Sequence, residues 1–459
     1  MSNLNLKINK IESTPDLLTS RAGLAPFSLY LENTGVLDRL DAQFCSLKGS
    51  SKGLSVKNYF KQMLVWLMDG TSRHISYFDE LKKDEGYAAT IETDPRDLAS
   101  SHAINRMSEK FTKFHEPGFR DILMDYFIER LKIEKPSVIE FSVDSMVLDN
   151  NDALKRQGVK CTYKKVKGFH PMQIVWNGMI IDGVFRSGDK HTNEIDKSLS
   201  MIKRLIKRVR KEIGNASTIV IRLDSGYYDM RIMEYLNNEN IAFIVSGKMY
   251  QYVKDAANGA VESEWGEYQK GIQKWNYVEF GMKGKSWKTF YRGIYTQLLN
   301  REDGQYILDF AKPSNVILTN IGVNKNVLKN MSIKEIKYWL STEAIIRSHH
   351  SRGADELPHR ALKELGFEEL PFQRFTENMV IYQCMILTLA LFEGFKRDVL
   401  CNLFLPTSYA NIVRRKFFDV AGKITKSKRS IVLRLRETVL ESLDFINVWS
   451  RSQSPPVLI

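Results

Sequence analysis

The spacing of hydrophobic positions divides the chain into a helical first part and a middle part where strands and helices alternate. Up to about residue 130, apolar residues recur every three to four positions, as in SLYLENTGVLDRLDAQF (28–44) and VKNYFKQMLVWLMDG (56–70). This period is typical of amphipathic helices. We therefore predict a helical N-terminal region over residues 1–130.

Residues 131–248 show a different pattern, in which short β-branched runs alternate with longer amphipathic segments. In order, the pattern predicts a strand at 137–149, two strands within 168–188, a helix at 197–214, a strand at 218–223, a helix, and a strand at 241–248. The two strands within 168–188 meet at Asn177–Gly178, a dipeptide typical of tight hairpin turns. Strands that alternate with helices indicate a partly parallel α/β sheet. Residues 131–248 are therefore predicted to form the first part of an α/β core.

Residues 249–311 interrupt this alternation. They contain Trp265, Trp275 and Trp287, and the segments KWNYVEFGM, WKTFYRGIYTQLL and GQYILDFA are typical of antiparallel strands. We predict a β-rich insertion here. Its tryptophans either pack inside this unit or stack on an unpaired base of a nucleic acid.

The core is predicted to resume over residues 312–405, with the strand NVILTNIG followed by helices. The apolar run MVIYQCMILTLALF (379–392) is too short to cross a bilayer, so it is predicted to be a buried core helix and no membrane association is expected. Residues 406–459 form a basic C-terminal region, with ten Lys and Arg against four Asp and Glu.

The charge of the chain suggests what it binds. Lys and Arg number 67 against 54 Asp and Glu, a formal net charge of +13 over 459 residues. Such an excess is typical of proteins that bind a polyanion, most simply nucleic acid; a basic enzyme without such a partner is the alternative. The helical N-terminal region either grips DNA or serves only in packing and dimerisation. The basic C-terminal region either contacts a nucleic-acid backbone or is a solvated surface.

The four cysteines are scattered and include no CxxC pair, so neither a zinc ribbon nor a disulfide framework is indicated. A reducing compartment is the better match.

Two aspartates stand out because of where they lie on predicted strands. Asp224 ends the buried strand 218–223 and is followed by Ser225 and Gly226, while Asp144 lies within the strand 137–149. A carboxylate at the C-terminal end of a buried strand is well placed for chemistry, although Asp224 is equally suited to cap the helix that follows. If the two strands are adjacent and parallel, both carboxylates converge.

A third acidic candidate is Glu356. It lies between Arg352 and Lys363, and offsets of four and eleven residues return to nearly the same face of a continuous helix. The alternative is an ordinary solvated ion-pair ladder. Pro358 interrupts the pattern, so the helix is expected to kink there or to restart with Pro358 in its first turn.

These motifs together resemble the DDE transposases of bacterial insertion sequences. The pattern His349-x2-Arg352-x3-Glu356-x6-Lys363 is similar to their Tyr–Arg–Glu–Lys signature, with histidine in place of the usual tyrosine. The segments LTSRAGLAPF (18–27), DSGYYD (224–229) and RGADE (352–356) are similar in sequence to the transposases of the insertion sequence 1380 group. The resemblance runs from about residue 18 to the basic C-terminal region.

The resemblance implies a ribonuclease-H-like catalytic core with a β-rich insertion, a helical N-terminal DNA-binding region and a basic C-terminal tail. It implies cut-and-paste movement of a DNA element, with the transposon's inverted-repeat ends and target DNA as partners. A homodimer in the DNA complex and a location in the bacterial cytoplasm at the nucleoid are also expected. By position, Asp144, Asp224 and Glu356 would be the catalytic, metal-binding triad, and His349, Arg352 and Lys363 would contact DNA.

The chemistry explains why carboxylates are needed. Two divalent ions about 4 Å apart activate the nucleophile and stabilise the leaving oxygen in phosphodiester cleavage. Mg²⁺, for which Mn²⁺ can substitute, prefers oxygen ligands. We therefore expect two Mg²⁺ ions as cofactors, with Asp144 bridging them. Two other functions remain open: a metal-dependent nuclease that cuts without joining, and a transposase-derived DNA-binding protein with an inactive site.

Overall fold

The computed structural model describes residues 8, 10–50, 52–153, 155–190, 194–215, 217–284, 287–308, 311–427 and 430–459, with the side chains of residues 352–355 excepted. The α-helices are α1 (Leu24–Asn33), α2 (Val36–Phe44), α3 (Val56–Asp69), α4 (Phe78–Leu81), α5 (Glu85–Thr90), α6 (Ser101–Ser108), α7 (Glu116–Glu134), α8 (Ile195–Ile213), α9 (Met230–Asn238), α10 (Gln251–Gly259), α11 (Ile333–Leu340), α12 (Thr342–His350), α13 (Arg352–Leu365), α14 (Phe375–Asp398), α15 (Ala410–Val413), α16 (Glu437–Ser442) and α17 (Phe445–Gln453).

The strands are β1 (Leu17–Thr19), β2 (Val138–Ser145), β3 (Leu148–Asp149), β4 (Lys160–Cys161), β5 (Lys167–Phe169), β6 (Met172–Trp176), β7 (Met179–Val184), β8 (Thr218–Leu223), β9 (Ala242–Ser246), β10 (Gly266–Lys270), β11 (Gln273–Met282), β12 (Tyr291–Leu298), β13 (Ser314–Thr319), β14 (Gly422–Lys426) and β15 (Ile431–Arg434).

The chain divides into two units whose boundaries differ from those expected from the sequence. One unit contains Met1–Met107 and Phe395–Pro455, and the other contains Ser108–Gly394 and Pro456–Ile459. In the first unit, β1 pairs antiparallel with β14, which pairs with β15. The region 406–459 is therefore not a separate tail: most of it folds with the N-terminal helices, a long-range pairing that local sequence pattern does not reveal.

Part of the basic sequence in the first unit is buried and therefore not available to contact DNA. Arg414, in the RRKFF segment, is buried, and its guanidinium donates hydrogen bonds to the carbonyl oxygens of Met68 and Leu67 at 2.7 and 2.6 Å, at the C-terminal end of α3. Cations at a helix C-terminus satisfy the last carbonyl groups. Phe417 and Phe418 are buried as well.

The second unit is built on a nine-stranded mixed sheet in the order β10-β11-β12-β13-β9-β8-β2-β6-β7. β8 pairs parallel with both β2 and β9, and the other neighbours are antiparallel. The strands from 249–311 extend this same sheet, joined through β13, so they do not form a separate β unit. The segment GQYILDFA shows only one bridge, between Asn300 and Tyr306, within the described residues.

Side-chain alternation gives the sheet two buried faces. On one face, Phe141, Ile221 and Phe243 pack in a core with residues of α7, α8 and α9. On the other, Val220, Ala242, Ile244 and Ile317 pack with Trp339 and Ile345 of α11 and α12. Asp144 and Asp224 belong to this second face, since β8 alternates through positions 220, 222 and 224.

Several local predictions are confirmed. The hairpin between β6 and β7 turns at Asn177 and Gly178, whose φ angles of 45° and 82° are those that a tight turn requires. α8 buries its apolar stripe, whereas Arg204, Arg208 and Arg210 on its polar side pair with carboxylates of the same unit. These arginines stabilise the fold through their ion pairs.

One helical segment differs from expectation, and one agrees with it. The segment 28–44 is broken into α1 and α2 at Gly35, whose φ of 79° is left-handed. α14 is long and apolar enough to cross a membrane by composition, but its apolar window is entirely buried in the fold. It is a core helix, as predicted.

Candidate active site

Asp144 and Asp224 lie side by side because β2 and β8 are adjacent and parallel. The register pairs Val143 with Leu223, so the two aspartates are the next residues along their strands, on the same face of the sheet. Both are half-buried. Asp144 Oδ1 accepts a hydrogen bond from the Ser145 amide at 2.7 Å, and Asp224 Oδ1 accepts one from the Gly226 amide, also at 2.7 Å. These bonds fix the orientation of each carboxylate.

Of the two roles considered for Asp224, capping of the helix that follows is not found in the structure. Its side chain caps the short 3-10 turn Ser225–Tyr227, but the helix that follows, α9, is capped by Asp229. Asp224 is therefore not needed to start α9, and its position at the end of β8 leaves it beside Asp144.

Glu356 lies on α13, which continues through Pro358 to Leu365. The expectation that the helix restarts at Pro358 is wrong: the break comes earlier, at Ser351, between α12 and α13. Pro358 is buried, whereas Glu356 is exposed. Glu356 therefore approaches the two aspartates from a separate helix.

Tyr163 lies within electrostatic range of all three carboxylates. Burial is the largest cause of the raised pKa of this phenol, and the negative charges of Asp144, Asp224 and Glu356 raise it further. All three carboxylates thus lie within electrostatic range of one hydroxyl. Within the described residues, however, no three His, Cys, Asp or Glu side chains are grouped closely enough to share one metal ion.

The site therefore fits a divalent cation in part. The aspartate pair supplies the carboxylate oxygens that Mg²⁺ prefers, and Mg²⁺ is often held by one or two carboxylates together with water. Glu356 is near but is not part of a closed cluster.

A buried set of hydrogen bonds supports the end of β2. His170 Nδ1 lies 2.6 Å from the carbonyl oxygen of Lys190, which can only accept, so Nδ1 carries the proton. His170 Nε2 lies 2.9 Å from Ser145 Oγ and accepts from that hydroxyl in the neutral ring. The carbonyl oxygen of His170 accepts from Arg186 Nε at 2.9 Å. Ser145 follows Asp144, so these bonds hold the backbone beside the carboxylate.

Arg222 connects β8 to the junction of α12 and α13. Its side chain is buried, and its guanidinium donates to Ser142 Oγ at 3.0 Å, to the carbonyl oxygen of Ser348 at 3.4 Å and to the hydroxyl of Ser351. Arg222 Nη1 lies 3.8 Å from Glu140 Oε2, which also accepts from Ser348 Oγ at 2.9 Å. The strand that ends in Asp224 is thereby tied to the point where the Glu356 helix begins.

The three residues expected to contact DNA have different surroundings. His349 is 7% exposed, and its Nε2 lies 2.8 Å from Ser246 Oγ of β9, so its contacts secure α12 on the sheet and a phosphate contact would require it to leave this position. The side chain of Arg352 lies outside the described residues. Lys363 Nζ is 2.7 Å from Glu368 Oε1, and its side chain is 32% exposed, which leaves it accessible to a second anion.

The three tryptophans in the strand-rich segment all contact other aromatic rings. Trp265 packs on Tyr295, Trp275 on Tyr268, and Trp287 on Tyr291, with ring centroids 5.6–6.0 Å apart. Packing within the unit thus accounts for their positions.

Two site residues were missed in the sequence. Arg222 is a lone arginine inside the apolar run TIVIRL. Charged residues are rarely buried without a partner, so a buried polar network around Arg222 could have been predicted. Tyr163 lies in the basic run TYKKVK, whose position next to the aspartates depends on the pairing of β4 with β5 and could not be inferred.

Comparisons with known proteins give a family match and a similar solved structure. A family model described as "Transposase DDE domain group 1" matches residues 7–453. A comparison with curated proteins gave no match. Among solved structures, the cryo-EM structure of the piggyBac transposase synaptic complex with hairpin DNA is similar at 12% identity and a TM-score of 0.43, covering 86% of this chain and 79% of that chain.

Proposed function

The chain belongs to the family of transposases with a DDE domain of group 1, and on that premise we propose that it moves a DNA element by cut-and-paste transposition. In this proposal it binds the inverted-repeat ends of a bacterial insertion sequence of the 1380 group, as a dimer on a ribonuclease-H-like core. It cleaves those ends and joins the 3′ ends to target DNA.

The proposal rests on the arrangement of the three carboxylates. Asp144 and Asp224 lie next to each other on adjacent parallel strands. After burial, the charges of these two residues and of Glu356 raise the pKa of Tyr163. Carboxylates within electrostatic range of one point repel each other unless cations relieve the repulsion. A site of this composition suits hard divalent cations.

In this proposal Asp144 and Asp224 hold the cations, and Glu356 completes the set when α13 approaches on binding DNA. Bound divalent ions would supply activation of the attacking oxygen and charge stabilisation on the leaving oxygen. The chain's own residues orient the site: the amides of Ser145 and Gly226 fix the two aspartates, and Arg222 sets the start of α13. Lys363 and Arg352 are proposed to contact phosphates next to the cleaved bond.

A purified-protein assay tests the proposal. The substrate is DNA from the two flanks of the gene on a plasmid, incubated with Mg²⁺ or Mn²⁺, and strand cleavage and joining are scored separately. We expect cleavage and joining with the wild type, and complete loss of both in Asp224→Asn with DNA binding retained. Retained cleavage in Asp224→Asn would refute the assignment. Cleavage without joining would indicate a nuclease.

A second function is favoured by one observation, that the described residues contain no closed cluster of three metal-binding side chains. This observation is what we would expect of a transposase-derived DNA-binding protein whose catalytic site is inactive. Such a protein would bind the flank DNA equally well with and without divalent ions, and would cut it in neither case.

A further inference from the structure

A basic hairpin lies beside the candidate site. We define it as residues 160–168, which pair through Lys160–Gly168 and Cys161–Lys167 in β4 and β5. Its turn is ordered: the buried Thr162 donates from its amide and hydroxyl to the carbonyl oxygen of Val166, both at 2.9 Å, and Lys165 takes a φ of 62°. The hairpin is therefore a fixed feature of this unit.

The hairpin presents concentrated positive charge. Lys160, Lys164, Lys165 and Lys167 are exposed, and none of the four is in an ion pair within the described residues. The sequence has no Asp or Glu between Asp152 and Asp182. Arginines on α8 are already paired with carboxylates, so the hairpin lysines are, by contrast, available to an external anion.

The position of the hairpin links the aspartates to the Glu356 helix. The ring of Tyr163 lies 5.1 Å from the ring of His170, which contacts Ser145, the neighbour of Asp144. On its other side, the hairpin lies within electrostatic range of α13. Burial lowers the pKa of His359, three residues after Glu356, and the charges of Lys363 and then Lys164 lower it further. Tyr163 is 57% exposed, so its side chain is accessible from solvent.

From this placement we propose that the basic hairpin holds the DNA strand to be cut, with Lys164 and Lys165 on flanking phosphates and the Tyr163 hydroxyl donating a hydrogen bond to the phosphate at Asp144 and Asp224. This inference rests on the proposed function. Lysine charges neutralise phosphates without regard to base sequence. A tyrosine phenol is protonated at neutral pH and can donate a hydrogen bond to a phosphate oxygen.

The first test measures binding to a mixed-sequence DNA duplex over a range of salt concentrations. Lys164→Ala with Lys165→Ala should weaken binding on the order of tenfold and lower the salt-dependence slope by about 2, since each phosphate contact contributes about 0.9. Lys164→Arg with Lys165→Arg should restore both. The matched control is Lys325→Ala with Lys329→Ala: these exposed lysines lie at the opposite end of β8, where Lys329 and Thr218 line one cavity. An unchanged slope, or an equal change in the control, would overturn the proposal.

The second test concerns Tyr163 and uses the flank-DNA cleavage assay. Tyr163→Phe keeps the ring but removes the hydroxyl, and should lower the cleavage rate about tenfold, as expected for loss of one hydrogen bond to a charged group, with unchanged duplex binding and unchanged thermal unfolding. Tyr306→Phe, at another exposed tyrosine, is the control and should cleave at the wild-type rate. Wild-type cleavage by Tyr163→Phe would contradict the role. If the wild type itself does not cleave, the proposed function fails, and the binding test still reports on the hairpin.

Discussion

At the residue scale, His359 shows how the α13 environment affects stability. It is 8% exposed, and burial, followed by the charges of Lys363 and Lys164, lowers the pKa of its imidazole to about 4. In the unfolded chain the pKa is about 6.5. Between about pH 4 and pH 6.5 the imidazole is therefore protonated in the unfolded chain and neutral in the folded protein. The contribution of His359 to the free energy of unfolding is complete above about pH 6.5 and is lost as the pH falls toward 4.

We predict that acidification weakens the fold through this histidine. Between pH 7 and pH 5 the wild type should lose roughly 2 kcal/mol of unfolding free energy on account of His359. His359→Phe should lose less over the same interval, and urea denaturation at the two pH values measures the difference. Equal losses in the two proteins would show that His359 does not carry the effect.

The site residues differ in how much the sequence could predict about them. Asp144 and Asp224 were predictable because each is an acidic residue on an apolar strand, and two parallel strands place such residues together. The burial of His349 was not, because it depends on Ser246 in a distant strand. The location of Tyr163 near the aspartates was not predictable either, because it depends on a short hairpin whose sequence shows little periodic pattern.

At the scale of elements, the junction of α12 and α13 is set by a strand. Arg222 of β8 contacts Ser348, Ser351 and Glu140, so the helix bearing Glu356 starts at a point fixed by the sheet. The sequence suggested a kink at Pro358 or a helix that restarts there, since proline disfavours a helix interior. Tertiary contacts place the break at Ser351 instead, and α13 accommodates the proline.

Arg222→Ala should lower the free energy of unfolding by roughly 2–4 kcal/mol, because it leaves Ser142 and Glu140 without their cationic partner. Urea denaturation measures this. The control is Arg231→Ala, whose side chain is 57% exposed and pairs with Asp196, and the expected effect there is below about 1 kcal/mol. Similar effects at both positions would contradict the role given to Arg222.

Strands and helices with a strong period were correctly predicted, including β8, α8 and the β6–β7 hairpin. The pattern failed where one residue overrides it, as at Gly35, whose left-handed φ separates α1 from α2. It also failed for GQYILDFA, whose described residues show one bridge and no full strand, because pairing partners decide strand formation.

At the scale of the whole molecule, the sequence could not show that the two ends of the chain fold together. β1 pairs with β14, and Arg414 caps α3, so residues from both ends share one unit. Composition made the C-terminal region look like an appended basic tail. Strand pairing over some 400 residues is invisible to composition and local periodicity.

Removing residues 406–459 should therefore unfold the first unit and not merely weaken DNA binding. Circular dichroism and thermal melting of the truncated chain should show lost helix and a lost transition. Arg415→Ala with Lys416→Ala changes only exposed charges of the same region and should keep the fold. A truncated chain that melts like the wild type would show that the region is an independent tail.

The most direct measurement of the central claim is the number of Mn²⁺ ions bound by the protein on flank DNA, determined by titration with magnetic-resonance detection. The account predicts about two ions per chain for the wild type, fewer in Glu356→Gln, and none at this site when Asp144 and Asp224 are both changed to Asn. The same number of ions in the wild type and in the Asp144→Asn, Asp224→Asn protein would contradict it.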